Sequence, residues 1–164
     1  SAAGPVWRLK GDSGFVRDCD FNPNKPYYLC SGGDAGVIRF WDYRKPATYV
    51  NQKFAAQQSF LHSHWVTSVE YNPHHDSLVL SSGTDGTVNL YSAKSVSSAP
   101  VSSNGASTTT ATDYVISSYD RFRQSVYRAC WSSADAWTYA SVSYDGKVCF
   151  LTVNDKEKMS ILTE

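Results

Sequence analysis

The chain has 164 residues, of which 41% are hydrophobic and 14% aromatic, enough for one ordinary domain with a buried core. Its 15 basic and 15 acidic residues cancel, which argues against a sequence-independent polyanion binder and predicts no nucleic-acid partner. No run of about 18 apolar residues occurs, and the start SAAGPVWRLK lacks a basic stretch followed by an apolar one, so neither direct membrane insertion nor a targeting leader is expected.

In chain order, residues 5–11 (PVWRLKG) read as a lone strand. Residues 15–21 predict a strand, Asn22-Pro23-Asn24-Lys25-Pro26 a turn, residues 27–31 a second strand, 37–41 a third and 49–54 a fourth. The pattern returns at 66–71, a turn at Asn72-Pro73, then 78–82, 87–91 and 114–118, and once more from Ser125 onward, with a weak fourth strand at 159–163. Between Ala93 and Asp113 the composition shifts to Ser, Thr, Ala, Asn and Gly, too few apolar residues to offset ordering entropy, and predicts a mobile excursion. No sustained helical period is visible. The four cysteines, Cys19, Cys30, Cys130 and Cys149, lie inside strand-like runs without metal or disulfide spacing, which predicts reduced thiols and a cytosolic protein.

The runs FVRDCDFNP (15–23), WVTSVEYNP (65–73) and SVYRACWSS (125–133) line up at offsets of 50 and then 60, and Asp34, Asp85 and Asp145, 51 and 60 apart, are taken as the equivalent turn residues. Offsets of this size point to propeller blades or solenoids. The longer second offset is explained by the 93–113 excursion. Asp-Gly at 85–86 and 145–146 suits a tight hairpin that needs positive φ, whereas Ala35 followed by Gly36 predicts a longer first turn. Four meandering antiparallel strands per unit make a β-propeller blade, so the fold class is all-β. Blades are placed at about 12–54, 62–118 and 122–163, with 5–11 as the last strand of a preceding blade. Three blades do not close a ring, so residues 1–164 are read as part of a larger propeller or as a unit that pairs with a second copy.

The dipeptide Trp41-Asp42 at the end of the third strand, with the turn aspartates, resembles the WD-repeat family of β-propellers. That resemblance implies a buried network in each blade, linking a third-strand Trp, a second-strand Ser or Thr, the turn Asp and a His before the first strand. Carried over, the second blade has His62, Ser81 and Asp85 with Tyr91 for Trp; the first has Trp41 and Asp34 with Cys30 and Asp12; the third keeps Ser141 and Asp145 with Phe122 and Leu151. No blade holds the whole set. The runs RDCDFNPNKPYYL, HSHWV and WSSADAW followed by SYDG resemble, more narrowly, the C-terminal part of the WD-repeat proteins that interact with EARP/GARP-type tethering complexes. This implies a non-enzymatic adaptor, cytoplasmic and peripheral to the trans-Golgi network and recycling endosomes, with further N-terminal blades in a seven-bladed ring and no cofactor.

The same resemblance places Phe15, Arg17, Trp65, Thr67, Ser125 and Tyr127, with Gly33, Thr84 and Tyr144, on the face around the channel. Two large aromatics, two tyrosines and an arginine have the composition of interface hot spots. Other chemistry is weakly supported. His62, His64, His74 and His75 lack acidic or Cys ligands at ligand-like spacing, so no metal site is expected. Ser81, His62 and Asp85 share residue types with a hydrolase triad but have no G-x-S-x-G elbow. A nuclear module reading histone tails or other peptides would use the same face.

Overall fold

A computed structural model of the chain describes residues 14–44, 62–98 and 113–163. Among the described residues, ten strands form three antiparallel sheets: β1 (Val16–Phe21), β2 (Tyr28–Gly33) and β3 (Ile38–Asp42); β4 (Val66–Tyr71), β5 (Leu78–Gly83), β6 (Val88–Ser92) and β7 (Tyr114–Tyr119); β8 (Val126–Trp131), β9 (Thr138–Ser143) and β10 (Val148–Thr152). The strand starts recur at 16, 66 and 126, at 28, 78 and 138, and at 38, 88 and 148, the offsets of the repeat. The sheets are blades of a partial WD-type propeller, the middle one with four strands. Between the first two strands of each, one side chain caps the turn: Asn22 Oδ1 accepts from the backbone N–H of Asn24 and Lys25, Asn72 Oδ1 from His74 and His75, and Ser132 Oγ from Ala134 and Asp135.

The hairpin after the second strand corrects the alignment by one residue. Gly36, Gly86 and Gly146 all adopt positive φ (70, 79 and 78°), and each closes the same turn through its N–H, onto Gly33, Gly83 and Ser143. The first turn is therefore no longer than the others. Cross-strand pairing agrees, with Gly32 opposite Ile38, Ser82 opposite Val88 and Val142 opposite Val148. It follows that Asp34 corresponds to Thr84 and Tyr144, Ala35 to Asp85 and Asp145, and Ser31, not Cys30, to Ser81 and Ser141.

The expected strands at 5–11 and 49–54 and the residue Asp12 lie outside the described residues, as does most of the 93–113 excursion. At its described start, Val96 is fully buried, and Ser98 donates through its N–H and Oγ to the two oxygens of Asp76, at 2.7 and 2.9 Å. The weak strand expected at 159–163 is instead part of a helix, α1 (Asp155–Leu162). Asn154 caps it by accepting from Glu157 N–H at 2.8 Å, and Ile161 packs into the core.

Successive side chains of a strand point to opposite faces, and the middle sheet uses both. Val79 and Tyr91 join Ile38, Phe40, Val69 and Tyr71 in a core between the first and second sheets. Leu78, Leu80, Val88 and Leu90 join Val126, Ala129, Trp131 and Tyr139 in a core between the second and third. The outward faces of the end sheets carry the equivalent residues in the open: Val16 and Phe21 on one, Val148 and Phe150 on the other.

Candidate functional site

Blade two assembles the whole network that the family pattern implies for it. His62 lies just before β4 with its ring buried; Nε2 is 2.7 Å from Ser81 Oγ on β5, and Nδ1 is 3.0 Å from Asp85 Oδ2 in the hairpin. Ser81 Oγ is 3.0 Å from the hydroxyl of Tyr91 on β6, where the family pattern has Trp. An Nδ1–H donating to Asp85 leaves Nε2 to accept from the Ser81 hydroxyl, whose oxygen accepts from Tyr91. Asp85 also accepts from Ser63 N–H and from the N–H and hydroxyl of Thr87. Burial pushes the Asp85 carboxyl up, but the hydrogen bonds it accepts from His62 and Thr87 outweigh it and hold the group well below the usual carboxylate range. Ser81 has no exposed surface, so a substrate carbonyl cannot reach its oxygen, and the chemistry of this Ser-His-Asp set is that of a brace between loop, strand and hairpin.

The other blades hold fragments of the brace. In the first, Trp41 Nε1 donates to Ser31 Oγ at 2.8 Å, while Asp34 lies outside the network and accepts from Arg17 Nε at 2.6 Å and from Phe15 N–H at 3.3 Å. In the third, Asp145 accepts from Lys147 Nζ at 2.9 Å and from Arg123 N–H. Ser141 is 1% exposed and its hydroxyl has no partner among the described residues, because Phe122 and Leu151 stand where His62 and Tyr91 stand one blade earlier. Ser141→Ala should therefore be neutral, or stabilise by up to about 1 kcal/mol, in urea denaturation, since it removes an unsatisfied buried group without breaking a bond. A clear loss of stability would mean that the hydroxyl is bonded.

The proposed contact residues form a rim that runs across all three blades. Phe15 (77% exposed), Trp65 (40%), Tyr127 (61%) and Tyr144 (69%) are displayed, and Thr67 is half-buried. The Arg17 guanidinium of blade one sits 4.2 Å from the Trp65 ring centroid of blade two, held between that ring and Asp34. Thr67 Oγ1 donates to Val126 O of blade three at 2.7 Å, Ser125 Oγ donates to Thr84 O, and Tyr127 meets Tyr144 edge to face at 5.9 Å. Gly33 is buried and too close to the Phe15 carbonyl to carry a side chain. The histidines do not gather. His64 Nδ1 contacts Thr84 Oγ1 at 2.5 Å, His75 stacks on Trp137 at 4.5 Å, and no group of three metal-ligating side chains occurs among the described residues.

Two features escaped the sequence reading. Thr87 and Asn89 complete the His62 network, Asn89 Nδ2 lying 3.3 Å from Nε2; they stand on the strand side of the hairpin, where the family pattern names no member. Ser31 was displaced by one residue, and an ungapped offset of 50 from Ser81 identifies it.

The family model described as the EIPR1 beta-propeller matches residues 6–91. The chain belongs to that family. Its blade-two brace and its Trp41–Ser31 pair are thus the WD-type elements of an EIPR1-family propeller. Relatives agree with the assignment. Human "EARP and GARP complex-interacting protein 1" is 40% identical over 162 residues, covering 90% of this chain and 40% of the relative. "EARP-interacting protein 1" of Caenorhabditis elegans is 36% identical over 152 residues, covering 87% and 40%, and "WD repeat-containing protein DWA2" of Arabidopsis thaliana is 36% identical over 139 residues, covering 84% and 38%. The chain thus spans about 40% of the length of the curated relatives it matches. No helix among the described residues is long and apolar enough to cross a membrane.

Proposed function

We propose that this segment is part of a non-enzymatic protein-interaction propeller that serves EARP/GARP-type tethering complexes at the cytoplasmic face of the trans-Golgi network and recycling endosomes. The remaining blades come from the rest of a seven-bladed protein. Two named relatives interact with such complexes, and the observation that carries the site is the rim itself. Four exposed aromatics and a ring-stacked arginine run across three blades, a surface of hot-spot composition. The partner is a protein segment with acidic or aromatic residues, which Arg17 and the two tyrosines suit.

Arg17→Glu combined with Tyr127→Ala in the full-length protein is expected to reduce co-purification of tethering-complex subunits at least about tenfold, two hot-spot losses of this kind exceeding about 1.4 kcal/mol. The melting temperature should move little, because the Arg17–Asp34 pair is partly exposed and such pairs contribute about 0–1 kcal/mol. Undiminished co-purification with a normal melting curve would remove the rim from the interface, and recovery of chromatin proteins in place of tethering subunits would favour the peptide-reading alternative.

A further inference from the structure

The seams between blades are stitched along the inner strands, where side chains of one blade accept from backbone N–H groups of the next: Asp18 from Val69 and Asp20 from Tyr71, then Ser68 from Ala129 and Glu70 from Trp131. At the turns that follow these strands, the end of the molecule away from the rim, the two seams differ. Between blades two and three the turns touch directly, Asn72 Nδ2 donating to Ala136 O at 2.7 Å. The equivalents one blade earlier are Asn22 and Asp76, and there the stretch of chain after β6 mediates the contact. A single 3-10 turn, Lys94–Val96, sets the fully buried Val96 into the core shared by the first two sheets. On the blade-one side Asn22 Nδ2 donates to Val96 O at 3.5 Å; on the blade-two side Ser98 gives its N–H and Oγ–H to Asp76. Asp76 is 3% exposed, and its carboxylate takes its hydrogen bonds from Ser98. Ser98 itself is exposed, and its Oγ meets one other group, the uncharged amide of Asn24 at 3.3 Å.

We infer that residues 93–98 are a strap across the first seam and that Ser98 is its release site, phosphorylated by a protein kinase. In that step Ser98 Oγ forms a bond to the γ-phosphorus of a nucleoside triphosphate, the bond from that phosphorus to its bridging oxygen breaks, a nucleoside diphosphate leaves and the hydroxyl proton is released. Two consequences act in one direction. The Oγ–H that Asp76 accepts is gone, and about 1.5–2 negative charges arrive beside a buried carboxylate, the placement in which a phosphate disrupts. A lysine or arginine at Ser98 Oγ would reverse the sign, but its hydrogen bonds run only to a carboxylate and an amide. The other serines of the strap lack this combination: Ser97 is 3% exposed, and Ser95, though exposed, bonds Asp113, a half-buried carboxylate that can turn to water. Release frees Val96 from the core between blades one and two and leaves the stitches of the inner strands to hold that seam. The inference goes beyond the rim reading and is independent of what the rim binds.

Hydrogen exchange tests it in the full-length protein carrying phosphoserine at position 98, installed by genetic-code expansion, against the unmodified protein. Peptides covering 93–98 and 72–78 report, since Ala93 N–H bonds Ser77 O across them, and those covering 132–138 at the second seam are the control. Exchange in the reporters should rise about tenfold with the control unchanged, the signature of one strap opening locally. Ser98→Ala, which keeps the N–H donor and adds no charge, should give a clearly smaller rise, and Asp76→Asn in the phosphoserine protein should return most of the protection, because the amide donates to phosphate. Unchanged or slower exchange in the phosphoserine protein would overturn the inference, as would an equal rise in Ser98→Ala. Were the control to rise as well, the singly charged Ser98→Asp replaces phosphoserine, with the same two outcomes. Phosphopeptide mapping of the protein isolated from its own cells, with phosphatases inhibited, should find phosphate on Ser98; phosphate confined to other residues, or none, would overturn the assignment.

Discussion

His62→Phe is expected to lower the unfolding free energy by about 3 kcal/mol, the largest single loss on the polar side of this structure. The ring is a junction: Asp85 and Thr87 bond its Nδ1, and Ser81 and Asn89 lie at its Nε2. A phenyl ring bonds none of them, and each buried group left unpaired costs about 1–3 kcal/mol. Some of that is recovered, because Ser81 keeps Tyr91, and Asp85 keeps Thr87 and Ser63 N–H. Relief by movement is limited, since the Gly83 backbone packs so closely on His62 and Asp85 that a single added carbon would collide with both. Blade three shows the substitution in place: Phe122 stands at the His62 position, and Leu151 replaces the tyrosine that would otherwise need a partner. Urea denaturation of the 164-residue segment at neutral pH is the measurement; a loss under about 1 kcal/mol would mean that the network is a bystander to packing. Adding Tyr91→Leu should not rescue the variant, because Ser81 would then be as isolated as Ser141.

Much of the architecture was legible because three independent signals coincide in it. Asn-Pro or Ser-Ser turns, alternating apolar residues and a hairpin glycine recur at the same spacing within each unit, and the repeat corrects local ambiguity by majority. Where a unit departs from its siblings, the reading slipped. Asp34 has the residue type expected of the turn position and so attracted the alignment, although Gly36, whose positive φ closes the hairpin, fixes the register one residue on. The helix at Asp155–Leu162 was missed because Met159, Ile161 and Leu162 follow the third unit where a fourth strand was due; Asn154 with Glu157 three residues later was the available cap signal. Exposure of Phe15 and Trp65 was undecidable beforehand, since the start of an inner strand serves core and rim alike. The stitches between blades were invisible for a different reason: Asp18 and Val69, or Glu70 and Trp131, are joined by curvature of the ring and by no local pattern.

Leu90→Ala should cost about 3 kcal/mol in the 164-residue segment, while Phe150→Ala, at the equivalent position one blade later, should change its stability by less than about 0.5 kcal/mol. Both side chains leave the third strand of their sheet on the side of the following blade. Leu90 is 1% exposed in the core shared with Val126 and Tyr139, so truncation leaves a cavity between two sheets. Phe150 is 77% exposed, so truncation removes almost nothing that the segment had buried. In the full-length protein the two should converge, with Phe150→Ala also costing about 3 kcal/mol, because a following blade would bury the ring as Leu90 is buried. Denaturation of the four proteins, two variants in two lengths, is the measurement. A Phe150→Ala loss that stays below about 0.5 kcal/mol in the full-length protein would leave the third blade at a free end of the sheet stack, and a large loss already in the segment would mean that a second copy covers the face.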